Sequence, residues 1–184
     1  MYSLYSTVVR ASFGHILEEE VQGIISVMGA LIFAKQPLHD DMLITFPAVK
    51  VKKSNVLGLI RKGLMSVIES GPILHFHHRS FEDFLLSPSF QRTLPNLSGV
   101  QDRELHEYHF SAFCLDTMVS TALHFNNVQF GIFKHKEILD TVKSAIPPLV
   151  SYSSLFWASH LVHTQYNRTL MKAVEFVMYE NGLK

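Results

Sequence analysis

The sequence predicts a mainly α-helical protein, in which a small unit of helices with a short β-hairpin or strand is followed by a helical bundle. Two observations lead to this prediction. Apolar residues recur at spacings of three and four along most of the 184 residues, which is the period of an amphipathic helix. Strand-like alternation is confined to short runs, and Ile73 to His77 is the clearest of them.

The first predicted helix lies between Glu18 and Pro37. Glu18 to Glu20 place three acids at the positive end of a helix, and an apolar stripe then runs from Val21 to Ile32. Pro37 ends the pattern, because proline cannot continue a helix. A second, shorter helical segment is predicted over residues 42–46.

Further along the chain, Val49 to Lys52 are predicted as a brief exposed strand. Ser54 has the chemistry of an N-cap, and the apolar residues that follow it share one helix face. The strand at Ile73 to His77 comes after a break at Ser70 to Pro72 and runs directly into another helix.

That closing helix is predicted from a capping box. The spacing of Ser80 and Asp83 allows the hydroxyl to accept a backbone N–H while the acid reaches back to the cap residue. Phe81 and Phe84 are expected in the core. Three helices, a short strand and a closing helix are the outline of a winged-helix unit, which we place at residues 16–87.

The other segments complete the predicted organisation. Residues 1–15 are interpreted as the end of a preceding helical segment, residues 88–101 as a linker and residues 102–184 as a helical domain. In that domain, apolar spacing predicts a long helix from Leu105 to Ala122, a short one at residues 138–142, and two more after Pro147 and Pro148.

Composition disfavours several classes of function. Lys plus Arg equals Asp plus Glu at 16 each, so the chain lacks the basic excess that nucleic-acid binding normally requires. The single Cys114 cannot close an intrachain disulfide, which favours a reducing compartment. The apolar stretches are too short to span a bilayer, and the first residues do not resemble a signal peptide. We therefore expect a cytoplasmic protein that does not bind membranes.

The sequence also argues against catalysis and cofactor binding. Phosphate-loop, dinucleotide-binding and zinc-protease motifs do not occur in it. The eleven histidines raise the possibility of a metal site, with His75 and His77 on one strand face and His160 and His163 near one helical turn apart. They lack nearby cysteine or carboxylate partners at the usual spacing, so no metal is expected. Cys114, in an apolar helix, is interpreted as a packing residue.

One run resembles a known family. His78 to Phe84 resembles the H-x-S-F-x-D/E-F signature of NACHT-type signalling NTPases of the STAND class, at the end of their winged-helix domain. Ile24 to Leu38 resembles the first winged-helix segment of fungal NACHT proteins, notably those of mushrooms. Ser153 to Leu161 is similar to the helical region that follows in them. The three segments occur in the family's order, and the resemblance covers nearly the whole chain.

The resemblance implies a role in a nucleotide switch. In such proteins an NTPase core precedes this region, and the winged-helix histidine touches the phosphates of bound ADP. His78 is the matching residue here. An imidazole ahead of a helix, beside Arg79, is suited to anionic oxygens. The alternative is that His78 only satisfies a hydrogen bond at the end of the strand.

The chain begins just before the winged-helix segment, so the phosphate loop and the magnesium-binding acids of the family are missing from it. The leading hypothesis is therefore a non-catalytic regulatory or interaction module, either a fragment or a truncated paralogue, whose partner is the NTPase domain of a full-length relative or another protein. ATP hydrolysis is not expected.

Two other hypotheses stay open. A metal-dependent enzyme would use the histidines. A winged-helix nucleic-acid binder is suggested by the helix order, although the zero net charge argues against it. It is also suggested by a cluster of basic residues, namely Lys50, Lys52, Lys53, Arg61 and Lys62.

Overall fold

The computed structural model describes residues 2–46, 53–69, 71–125 and 146–180, and they are mainly helical, as predicted. In chain order the elements are α1 (Tyr2–Phe13), α2 (Glu18–Phe33), β1 (Leu38–His39), α3 (Asp40–Thr45), α4 (Lys53–Gly63), β2 (Ile73–Leu74), α5 (Arg79–Leu85), α6 (Pro88–Thr93), a 3₁₀ helix (Pro95–Gln101), α7 (Arg103–Phe125), α8 (Pro148–Leu161), α9 (Arg168–Glu175) and a π-helical turn (Phe176–Glu180). The predicted strand at residues 49–52 and the predicted helix at 138–142 lie outside the described residues.

The chain forms two compact units, and the boundary between them falls inside α7. Unit 1 comprises residues 1–106 and unit 2 comprises residues 107–184. Unit 1 therefore contains the segment 16–87 together with α1, α6 and the 3₁₀ helix. Unit 2 contains most of α7 and the helices that follow it.

Helix α2 is the central element of unit 1. Its residues from Gly23 to Ala30 are all buried, as expected for a helix that is apolar on nearly every side. Two glycines allow neighbouring elements to approach its backbone closely. Gly23 faces Val56 of α4, and Gly29 faces the imidazole of His106. At the start of the helix, the Leu17 N–H donates to the Glu20 carboxylate over 3.0 Å.

Strands β1 and β2, which are separated in the chain by α3 and α4, form a two-stranded antiparallel sheet. Leu38 pairs with Leu74 and His39 with Ile73, so the predicted strand at residues 73–77 is confirmed over its first part. Helix α3 begins directly after β1, and the predicted cap residue Ser54 lies within α4.

The segment 88–101 is not a linker, which corrects the prediction made from the sequence. It forms α6 and the 3₁₀ helix, and its apolar side chains are fully buried in unit 1. The amide of Gln101 donates to the backbone carbonyls of Leu85 and Ser87, both over 2.8 Å. The two prolines of this segment are compatible with helices, because each occupies the first helical position, where proline is tolerated. The buried residues are Phe90, Leu94, Leu97 and Val100.

Residues 1–15 also belong to unit 1. In α1, Val9 and Phe13 are buried. The Ser12 hydroxyl contacts the carbonyl of Gly63 at the end of α4, with 2.6 Å between the two oxygens. The segment that was interpreted as the end of a preceding helical segment therefore contributes to the core of unit 1.

In unit 2, the buried face of α7 meets α8. Cys114 of α7 and Tyr152 and Ser153 of α8 are fully buried. Helix α9 begins with a side-chain cap, in which the amide oxygen of Asn167 accepts the N–H groups of Thr169 and Leu170.

Candidate functional site

His78 lies immediately before α5, where the chain changes from extended to helical. Its backbone is extended, with φ −135° and ψ 130°, and its carbonyl accepts the Phe81 N–H over 3.0 Å. The imidazole does not cap the helix. Both His78 and the neighbouring Arg79 are exposed, so two side chains that can bind anions are presented to solvent side by side.

The predicted capping box is wrong. Helix α5 begins at Arg79 with His78 as its N-cap residue, so Ser80 lies inside the first turn and Asp83 lies further along the helix, exposed. The Ser80 hydroxyl instead forms a hydrogen bond of 2.8 Å with the phenol of Tyr5 in α1. The register is set by Phe81 and Phe84, which are both fully buried.

An aromatic cluster fixes α5 beneath the exposed pair. The Phe81 ring meets Tyr5 at 5.1 Å and Phe76 at 5.3 Å, both in edge-on geometry. Phe84 packs edge-on against Phe90 of α6 at 5.8 Å. Edge-to-face pairs of this kind add to the burial energy of the rings. His78 is therefore attached to a well-packed base.

Substitutions at Ser80, Tyr5 and Asp83 test whether the Ser80 hydroxyl bonds to Tyr5 or takes part in the predicted capping box. We expect Ser80→Ala and Tyr5→Phe each to lower the free energy of unfolding by about 1 kcal/mol, because each removes the same hydrogen bond. The double variant should lose little more than either single variant. Asp83→Ala should change stability by less than about 0.5 kcal/mol, since the residue is exposed. If thermal unfolding showed a similar loss of stability for Asp83→Ala and Ser80→Ala, the result would support the predicted capping box.

Within the described parts of the chain, no group of three or more potential metal ligands converges. His75 Nε2 lies 2.6 Å from a carboxylate oxygen of Glu69, and His77 is exposed. His160 is fully buried and bonded to other side chains.

Cys114 is buried, and burial raises the pKa of its thiol to about 12, an effect that the nearby Ser153 hydroxyl partly opposes. A thiol with such a pKa carries almost no thiolate at neutral pH, and the thiolate is the nucleophilic form. The geometry is therefore that of a packing residue.

A buried polar network in unit 2 was not predicted from the sequence. The Glu107 carboxylate lies 2.5 Å from His160 Nδ1, and His160 Nε2 lies 2.9 Å from the Tyr152 hydroxyl. The Phe110 ring stacks on the imidazole at 4.3 Å. Glu107, Phe110 and Cys114 follow one another at spacings of three and four, and this periodicity was the available sign that Glu107 faces the core.

The basic cluster behind the nucleic-acid hypothesis is only partly described. The Arg61 guanidinium lies 2.7 and 2.8 Å from the two carboxylate oxygens of Asp40, and it also donates to the carbonyl of Gly71. These contacts occupy one terminal nitrogen of the guanidinium, and the Arg61 side chain is 31% exposed. Lys50 and Lys52 lie outside the described residues.

Comparison with known proteins yields no match: no family model, curated protein or solved structure is similar to this chain. Among the helices described, none has both the length and the apolar character needed to cross a membrane.

Proposed function

We propose that this chain is a non-catalytic regulatory module of the NACHT type, which docks onto an NTPase domain in the cytoplasm. In this proposal residues 16–87 act as a winged-helix unit. His78 contacts the phosphates of a nucleotide that the partner domain holds. The observation that carries the proposal is the position of His78, exposed beside Arg79 and not used to cap α5.

The chemistry of the pair supports a phosphate contact. Imidazole titrates near neutral pH and can donate a hydrogen bond from either ring nitrogen when it is protonated. The Arg79 guanidinium is permanently charged and suits phosphate geometry. Together they supply donors and positive charge, whereas the nucleotide and its magnesium ion are held by the partner.

The packing beneath the pair supports a positioning role. Phe81 and Phe84 are fully buried, and the bond between Ser80 and Tyr5 joins α5 to α1. A contact residue on a rigid base loses less conformational freedom when it binds than one on a mobile loop. The cost of ordering His78 against a phosphate is correspondingly small.

The test is binding of the purified chain to a NACHT NTPase domain loaded with ADP, measured by isothermal titration calorimetry. We expect His78→Ala to weaken binding about tenfold, because hydrogen bonds to charged groups contribute about 1.5–3 kcal/mol. His77→Ala is the matched control, since His77 is the adjacent exposed histidine, and it should leave affinity unchanged.

Two outcomes would contradict the proposal. One is equal affinity of the original chain and the His78→Ala variant. The other is an equal loss for the two alanine variants, which would indicate a contact of the surface in general. Thermal unfolding of both variants checks that the fold is preserved.

A further inference from the structure

The side chain of Tyr5 connects α1 to the first turn of α5. Its hydroxyl forms a hydrogen bond of 2.8 Å with the Ser80 hydroxyl. Its ring packs edge-on against Phe81 at 5.1 Å and lies 5.7 Å from the ring of Phe84. Tyr5 is only 9% exposed. One nearly buried side chain of α1 therefore contacts three residues of α5.

Helix α5 needs such contacts to keep its first turn in place. It has seven residues, and a helix of that length is marginal in water without tertiary packing. The side chain of its N-cap residue, His78, forms no capping hydrogen bond. Among the residues that the structure describes, the Tyr5 hydroxyl is the one hydrogen-bond partner of the Ser80 hydroxyl. This bond is therefore the polar anchor of the first turn.

The position of His78 depends on the same turn. The His78 carbonyl accepts the Phe81 N–H over 3.0 Å, so the first turn fixes the backbone from which the imidazole projects. Arg79 is the first residue of that turn, and both side chains are exposed. Without the Ser80 anchor the turn can open locally, which requires less free energy than global unfolding. Opening would move both exposed side chains while the core stays intact.

We propose that Tyr5 is a positioning residue for the exposed pair His78 and Arg79, and that it acts through the Ser80 hydroxyl. For the phosphate contact this inference rests on the proposed function, whereas the hold of Tyr5 on the first turn of α5 is independent of it. Because Tyr5 is nearly buried, an effect of its hydroxyl on binding must pass through α5. Tyr5 also lies outside the segment 16–87, so presentation of His78 requires α1 in addition to the predicted winged-helix unit.

Amide hydrogen exchange of the free chain tests the effect of Tyr5 on the turn. Tyr5→Phe keeps the ring and removes only the hydroxyl. The Phe81 amide should then exchange about fivefold faster, the factor that one neutral hydrogen bond contributes to an equilibrium. Ser12→Ala is the matched control, because it removes a hydrogen bond of 2.6 Å from the same helix to the Gly63 carbonyl of α4. It should leave exchange of the Phe81 amide unchanged, and equal acceleration in both variants would overturn the inference.

Calorimetric titration of the same variants into an ADP-loaded NACHT NTPase domain tests the effect on binding. Tyr5→Phe is expected to weaken binding about threefold, less than the loss of His78 itself, because the imidazole is still present but less well ordered. Ser12→Ala should leave affinity unchanged. In a chain that already carries Ser80→Ala, adding Tyr5→Phe should cause no further loss, since the bond between the two hydroxyls is already absent.

The outcomes separate this inference from the proposed function. If His78→Ala weakens binding and Tyr5→Phe binds like the original chain, the inference is wrong and the phosphate contact stands. Additive losses of affinity for Tyr5→Phe and Ser80→Ala would also overturn the inference, because the two hydroxyls would then act separately. If His78→Ala binds like the original chain, the proposed function is wrong. Faster exchange of the Phe81 amide in Tyr5→Phe, and not in Ser12→Ala, would even then support the hold of Tyr5 on the turn.

Discussion

Replacing His160 with alanine is expected to destabilise unit 2 by about 3–5 kcal/mol, the range observed when one partner of a buried ion pair is removed. His160 and Glu107 are both fully buried. Without the imidazole, the Glu107 carboxylate loses a hydrogen bond of 2.5 Å and the Tyr152 hydroxyl loses one of 2.9 Å. The stacking partner of Phe110 is also lost.

Trp157 provides the measurement, because it is the single tryptophan of the chain and lies on α8 in unit 2. Denaturant unfolding followed by its fluorescence reports on this unit. Val162→Ala, at a residue that is 79% exposed just after α8, should change the free energy of unfolding by less than about 0.5 kcal/mol. Equal losses of stability for the two alanine variants would mean that the hydrogen bonds of the buried network contribute no more than an exposed side chain does.

A double variant separates the loss of packing from the loss of the imidazole as a partner of the Glu107 carboxylate. His160→Leu combined with Glu107→Leu removes the pair but leaves no buried carboxylate. It should be more stable than His160→Leu alone, because apolar replacement of a whole buried pair is often neutral. A double variant that is less stable than the single one would show that the carboxylate has its own sufficient partners.

Gly29→Ala is expected to destabilise unit 1 by about 2 kcal/mol, since overpacking a well-packed core typically costs about 1–3 kcal/mol. A Cβ atom at residue 29 would overlap the imidazole of His106. That ring cannot move freely, because it stacks on Phe33 at 5.4 Å and its Nε2 forms a hydrogen bond of 3.0 Å with the carbonyl of Gly99.

The matched control is Gly58→Ala in α4, where an added Cβ meets no atom within 4 Å. Both variants gain the higher helix propensity of alanine, so Gly58→Ala should stabilise by about 0.5–1 kcal/mol. Thermal unfolding by circular dichroism should therefore shift in opposite directions. Shifts of the same sign would show that α2 and His106 are not in close contact. Adding His106→Ala to Gly29→Ala should recover part of the loss.

Long periodic helices were predictable because their signal is local. The stripe from Val21 to Ile32 and the pattern from Leu105 onward predict α2 and α7 from spacing alone. The prediction of a linker at residues 88–101 was wrong, because burial of the apolar residues of this segment, which recur at spacings of three and four, decides its structure. The capping box failed for a related reason. Burial of Phe81 and Phe84 sets the rotation of α5 about its axis, and that rotation directs the Ser80 hydroxyl towards Tyr5.

The candidate sites were less predictable, because they depend on contacts between distant residues. Glu107 and His160 are separated by 53 positions, and no local pattern pairs them. A cavity in unit 1 is lined by Lys35, His75 and Glu82, among other residues, and these three come from separate segments of the chain. The exposure of His78 depends on where α5 begins. The predicted cap at Ser80 placed the start of this helix wrongly, since α5 begins at Arg79.

The proposed contact between His78 and a nucleotide phosphate is tested most directly by NMR of the chain with isotope-labelled histidine side chains, before and after addition of a NACHT NTPase domain loaded with ADP. We expect the ring resonances of His78 to shift on addition of the loaded domain, and those of the exposed neighbour His77 to stay in place. His78 resonances that do not move, or that move no more than those of His77, would contradict the proposed phosphate contact.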